Sequence, residues 1–111
     1  MKIKTTTKLK GLDGEILTYP VSEDKTAPLT LRKVIIDALL APNDEMDGEA
    51  KIKAFNMAKY VSSLDTVELS IDQAAWIKER VNKQWATLVY GIVNEIFEAA
   101  AGDANKKAEA A

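Results

Sequence analysis

The chain has 111 residues, of which 47% are hydrophobic and 29% charged, and its formal net charge is −2. This composition is typical of one small globular domain and argues against wholesale disorder. Cysteine and histidine are both missing, which excludes disulfides, thiolate and imidazole metal ligands, and Ser-His or Cys-His catalysis. Carboxylate or lysine chemistry, or a magnesium site of oxygen ligands, are the enzymatic routes that remain.

The N-terminal segment predicts a β-hairpin. Residues 2–10 alternate, with one face formed by Ile3, Thr5, Thr7 and Leu9 and lysines mostly on the other, which is the period-two pattern of a half-buried strand. Glycines at 11 and 14 predict the turn, and residues 15–19 predict the second strand. We expect Pro20 to end that strand and residues 22–27 to form a loop.

Two amphipathic helices are predicted next. Thr30 is placed to cap the first helix, and the helical spacing then puts five residues on one face: Leu31, Val34, Ile35, Ala38 and Leu39. Pro42 is expected to end it. The second helix follows a loop at 42–48, and its core face comprises Ala50, Ala54, Met57, Ala58 and Val61, with Phe55 beside it. Residues 67–69 favour a short extended piece that adds to the hairpin.

The longest periodic run extends from Leu69 to Phe97. Ser70 and Gln73 have the spacing of a capping box, in which each side chain bonds the other residue's backbone N–H. If the helix is continuous, one stripe contains Ala74, Ile77, Val81, Trp85, Leu88, Ile92 and Ile96. Alternatively, Thr87 caps a separate last helix, with residues 82–86 as the joint. Residues 1–101 are thus predicted to form one domain, and residues 102–111 a disordered tail.

Four large side chains fall outside this stripe: Trp76, Tyr90, Val93 and Phe97. Burial elsewhere in the monomer is the preferred interpretation of Trp76 and Tyr90. The alternative is that they anchor a partner, because aromatic residues dominate interface energetics. Val93 and Phe97 widen the stripe beyond what one neighbouring helix covers. All four are therefore candidate interface residues, and a break near Thr87 would change which of them stay exposed.

Several short motifs resemble ligand-binding or catalytic sites but have simpler structural explanations. Residues 43–48 resemble the start of an EF-hand loop, but Ala54 stands where the bidentate glutamate belongs, so an acidic lead-in to the second helix is preferred. The GLDG turn has the spacing of a nucleic-acid-binding GXXG loop, but it joins strands and carries Asp13. The acidic residues of the C-terminal run, which are Asp72, Glu79, Glu95 and Glu98, are interpreted as partners in surface ion pairs.

The lysines of the first strand are a candidate nucleic-acid contact: Lys2, Lys4, Lys8 and Lys10. Tyr19 on the predicted partner strand would offer a stacking surface. Protection of a sheet edge by lysine is the preferred explanation.

The order of segments resembles a family of small bacteriophage and prophage proteins. The resemblance covers roughly residues 2–98 and is carried by the segments TKLKGLDGE, LTLRKVIIDALLAP, DGEAKIKAFNMAKYV and VELSIDQAAWIKERVNKQWATLVYGIVNEIFE. Family members carry a helix breaker in the region that matches residues 83–88, where this chain has Ala86 and Thr87. The resemblance implies a phage-derived origin and an α+β fold, and it assigns no functional residues.

Together these observations predict an α+β fold in which an N-terminal β-hairpin packs on three to four α-helices. We expect no enzymatic activity, cofactor, metal or small-molecule substrate, and a role in binding protein, either another copy of the chain or a virion or assembly component. The alternative is a small regulator that binds nucleic acid through the N-terminal lysines. The N-terminus lacks the apolar run of a secretion signal, so the bacterial host cytoplasm is the expected location, with no membrane association.

Overall fold

The fold is α+β, and the residues that the structure describes form four helices and two small antiparallel sheets. It was obtained as a computed structural model that describes residues 1–42 and 45–110, with the side chains of the last helix described as far as Gly102. In chain order the elements are β1 (Lys2–Lys4), β2 (Thr18–Ser22), β3 (Lys25–Pro28), α1 (Leu31–Leu40), α2 (Gly48–Ser63), β4 (Thr66–Glu68), α3 (Ile71–Gln84) and α4 (Thr87–Ala110).

The N-terminal strand is shorter than predicted and pairs with a distant partner. β1 pairs antiparallel with β4, with Ile3 opposite Val67. The chain then leaves the strand because the Thr7 hydroxyl donates to the Lys4 carbonyl at 2.7 Å and closes a turn. Ile3, Thr5 and Leu9 are buried, as the alternation predicts, but the prediction of one strand over residues 2–10 is wrong.

The β-hairpin of the structure also lies at a different place in the chain from the predicted hairpin. The glycine turn forms, with Gly14 at φ +83°, but the segments beside it meet only at an isolated bridge between Lys10 and Ile16. The hairpin is β2 with β3, which turns at Glu23 and Asp24. Pro20 lies within β2 opposite Thr26, and this is possible because a two-stranded sheet leaves one edge that needs no donor. The predicted strand end at Pro20 and loop over 22–27 are therefore wrong.

Helices α1 and α3 begin at the predicted caps, whereas Thr87 is the first helical residue of α4 and not its cap. The Thr30 hydroxyl accepts from the Lys33 N–H at 3.2 Å, and the side chains of Ser70 and Gln73 complete the reciprocal capping box of α3. The predicted core faces of α1 and α2 are buried, except that Ala50 is only half-buried. Local sequence thus specifies both the starts and the inward faces of these helices.

The C-terminal run consists of two helices. α3 ends with Trp85 in extended conformation (φ −116°, ψ 155°), and the Trp85 indole N–H donates to the Val34 carbonyl of α1 at 3.2 Å. This bond attaches the residue between α3 and α4 to α1. The backbone of α4 continues to Ala110, whereas the side chains beyond Gly102 and all of residue 111 lie outside the described part; the predicted disorder of residues 102–111 stays a prediction.

The elements surround one hydrophobic core. α2 packs against α1 and β4, whereas α4 packs against α3 and β1. In addition, α1 packs against α3, and β4 pairs with β1. α2 and α4 therefore pack mainly against different neighbours, and their outer faces are separate surfaces.

Candidate functional site: the outer faces of helices 2 and 4

The break before Thr87 changes which residues of α4 face inward. Val93 is fully buried and Phe97 is 2% exposed, and both belong to the hydrophobic core together with Val89. The prediction that Val93 and Phe97 lie outside the core stripe is wrong, because it assumed the phase of one continuous helix. Restarting the helix at Thr87 rotates α4 so that positions 89, 93 and 97 point inward.

Trp76 and Tyr90 are partly buried and pack against the core. The Lys53 ammonium lies 4.3 Å from the centroid of the Trp76 ring, so this side chain joins α3 to α2 within the molecule. Both residues thus take part in the monomer's own packing, as the preferred interpretation had it.

A second apolar stripe remains on α4, and we call it the α4 stripe. It consists of Leu88, Ile92, Glu95, Ile96 and Ala99. At about 100° per residue, these side chains point roughly 60–160° away from Val93 around the helix axis. All of them lie on the same side of Val93. Leu88 is 39% exposed, Glu95 and Ala99 are exposed, and the two isoleucines are half-buried. The opposite flank is occupied, since Lys78 of α3 contacts Asn94 at 3.3 Å and Glu98 at 3.5 Å.

The outer face of α2 carries a larger apolar surface with positive charge. Leu40 at the end of α1 is 55% exposed, Ile52 is 62% exposed and Phe55 is 55% exposed. Lys51 lines a shallow hollow together with Leu40, and the Lys59 ammonium lies 5.5 Å from the Phe55 ring centroid. Residues 51, 52, 55 and 59 are neighbours on one helix face at the three- and four-residue spacings. We call these five residues the α2 patch.

Exposed aromatic and aliphatic side chains in one contiguous group are uncommon on a monomer and are typical of a contact surface. The α2 patch is not among the surfaces that the sequence pattern predicts. Two features of the sequence could have indicated this patch. Phe55 flanks the predicted core face, and Ile52 lies on the helix face opposite it.

A groove of about 670 Å³ lies between the start of α3 and the second half of α4. Its lining includes Leu69, Ala74 and Phe97, with Ile71 exposed at its edge. The polar groups at its margin already bond one another, through the Ser70 and Gln73 capping box and the contact of Lys78 with Glu98. The groove therefore offers apolar surface rather than a set of converging polar groups.

The N-terminal lysines do not form one surface with Tyr19. Lys2, Lys4, Lys8 and Lys10 are all exposed, but the turn after β1 separates the first pair from the second. Tyr19 belongs to the other sheet, and its ring lies under the Lys33 ammonium at 5.0 Å. The predicted combination of a lysine strand with a stacking tyrosine on its partner strand is wrong for Lys2 and Lys4, because β1 pairs with β4 instead, whereas Lys10 meets the segment that leads into the strand of Tyr19 at its bridge with Ile16.

The basic residues of α3 bond groups on other parts of the chain. Arg80 is 5% exposed and donates to the carbonyls of Ala38 at 3.1 Å and Ala41 at 3.3 Å. It thus satisfies the C-terminal end of α1, where backbone carbonyls lack helical partners. Lys83 pairs with Glu45 at 3.7 Å across the loop before α2.

The acidic loop before α2 acts as a helix cap in its described part. Asp47 accepts from the Ala50 N–H at 2.8 Å, as expected for a carboxylate at a helix N-terminus. Asn43 and Asp44 of the EF-hand-like segment lie outside the described residues. Within residues 1–42 and 45–102, no group of three or more acidic side chains is arranged to hold a metal ion.

Comparisons with known proteins found no matching family model, curated protein or solved structure. The described helices include none that is long and apolar enough to cross a membrane.

Proposed function

We propose that this chain is a phage- or prophage-derived accessory protein that works by binding protein and has no catalytic role. The α2 patch is the observation that carries the proposal. Three large apolar side chains, Leu40, Ile52 and Phe55, are each more than half exposed within one group on adjoining elements. Burying such surface against a partner is favourable by about 25 cal/mol per Å².

Two features of the sequence support the non-enzymatic role and the phage-derived origin, respectively. The chain has no cysteine or histidine, and the segment order resembles small phage proteins. The proposed site of action is the cytoplasm of the bacterial host, where either a second copy or an assembly component would meet the α2 patch.

Photocrosslinking in cells that carry the parent prophage tests this proposal. A benzophenone amino acid replaces Phe55, and the control places it at Leu12, which is 97% exposed on the GLDG turn and belongs to neither α2 nor α4. We expect a discrete light-dependent protein adduct from position 55 and none of that size from position 12. Equal adducts from both positions, or none from position 55, would contradict the proposal.

A further inference from the structure

We infer that the partner of the α2 patch is the α4 stripe of a second copy, so that copies join head to tail. This inference rests on the proposed function and names its partner. The α2 patch is apolar and basic, with Lys51 and Lys59 beside Ile52 and Phe55. The α4 stripe exposes Leu88, Ala99 and one carboxylate, Glu95, while Ile92 and Ile96 are half-buried and pack partly against the core. Opposite charges beside two apolar surfaces fix the register and exclude like-charged pairings.

The two surfaces both lie along helices. Residues 51–59 of α2 extend roughly 12 Å along the helix axis, and residues 88–99 of α4 extend roughly 16 Å, at about 1.5 Å per residue. They span about two and about three helical turns, which suits the packing of one helix against another. Ala99 in the stripe has a small side chain and permits close approach of the backbones.

Their positions in the fold determine the type of assembly. α2 packs against α1 and β4, while α4 packs against α3 and β1. A copy that presents its α4 stripe to a neighbour therefore leaves its own α2 patch open to the next copy. Such a heterologous contact repeats, and it produces a ring where the rotation closes or a filament where it does not.

Sedimentation velocity of the purified full chain tests the inference, from about 5 to about 500 µM so that weak contacts are covered. We expect the wild type to form species larger than a dimer as concentration rises. Phe55→Asp disables the patch and Leu88→Asp disables the stripe. Each should weaken association at least about 30-fold, the loss typical of a hot-spot side chain. Leu12→Asp is the matched control and should assemble like the wild type.

Mixing the two variants separates head-to-tail contact from other arrangements. Phe55→Asp retains an intact stripe and Leu88→Asp retains an intact patch, so together they should form a 1:1 pair that grows no further. The charge-reversed variants, Lys51→Glu with Lys59→Glu in one chain and Glu95→Lys in the other, should likewise associate only when mixed. These substitutions are at exposed positions, and circular dichroism confirms that each variant is folded.

Three results would overturn the inference: a wild type that stays monomeric throughout, a closed dimer that does not grow, or assembly unaffected by Phe55→Asp. A monomer whose position 55 crosslinks to a different protein in cells would overturn the head-to-tail contact and leave the proposed function standing. A monomer without any adduct at position 55 would contradict both.

Discussion

Truncation of Phe97 to alanine is the sharpest test of how α4 packs. The Phe97 side chain is 2% exposed and belongs to the core with Val93 and Ala74. Removing a buried phenylalanine ring costs about 3–5 kcal/mol, from lost transfer free energy and the cavity left behind. A domain of this size has a free energy of unfolding of about 5–15 kcal/mol, so the variant should lose a large part of its stability.

Urea unfolding followed by circular dichroism measures this loss, at protein concentrations low enough to avoid association. The matched control is Leu88→Ala on the same helix. Since Leu88 is 39% exposed, its truncation should cost less, about 1 kcal/mol or below. In thermal unfolding, Phe97→Ala should lower the midpoint by at least about 12 °C.

The result that would refute this reasoning is a reversed order. If Leu88→Ala were as destabilising as Phe97→Ala, α4 would have the phase of one continuous helix with α3, and the α4 stripe would belong to the core. Phe97 would then be free to contact a partner, as the sequence pattern by itself predicted.

Three further predictions concern stability and are all measured by urea unfolding. Arg80→Met keeps the apolar stem but removes the donor to two α1 carbonyls, and it should cost about 1–3 kcal/mol; unchanged stability would show that those bonds contribute nothing. Ser70→Ala should cost about 1 kcal/mol. Its effect should be smaller in a Gln73→Ala background, because the two caps act reciprocally, and strict additivity would contradict the capping box. Gly14→Ala should cost about 1–2 kcal/mol because its φ is +83°. Gly91→Ala in α4, where an added Cβ meets nothing within 4 Å, should instead stabilise by about 0.5–1 kcal/mol, and two changes of the same sign would refute this comparison.

The sequence by itself determined the helices, because caps and helical periodicity are local properties. Thr30 and Ser70 begin α1 and α3 through bonds to residues three positions ahead. The inward faces of α1 and α2 follow from spacings of three and four residues. The same is true of Ile3, which is buried between exposed Lys2 and Lys4 in β1, since this depends only on the pleat of an extended chain.

Tertiary structure decided the pairing of β1, since its partner lies more than sixty residues away. A local pattern shows which side chains turn inward but not which strand accepts the backbone bonds. It also decided the break at Trp85, where an indole N–H reaches a carbonyl of α1. That one bond accompanies the rotation of α4 that buries Phe97 and leaves Leu88 exposed. The candidate surfaces follow from the same cause, because exposure of a side chain depends on which elements the fold places beside it.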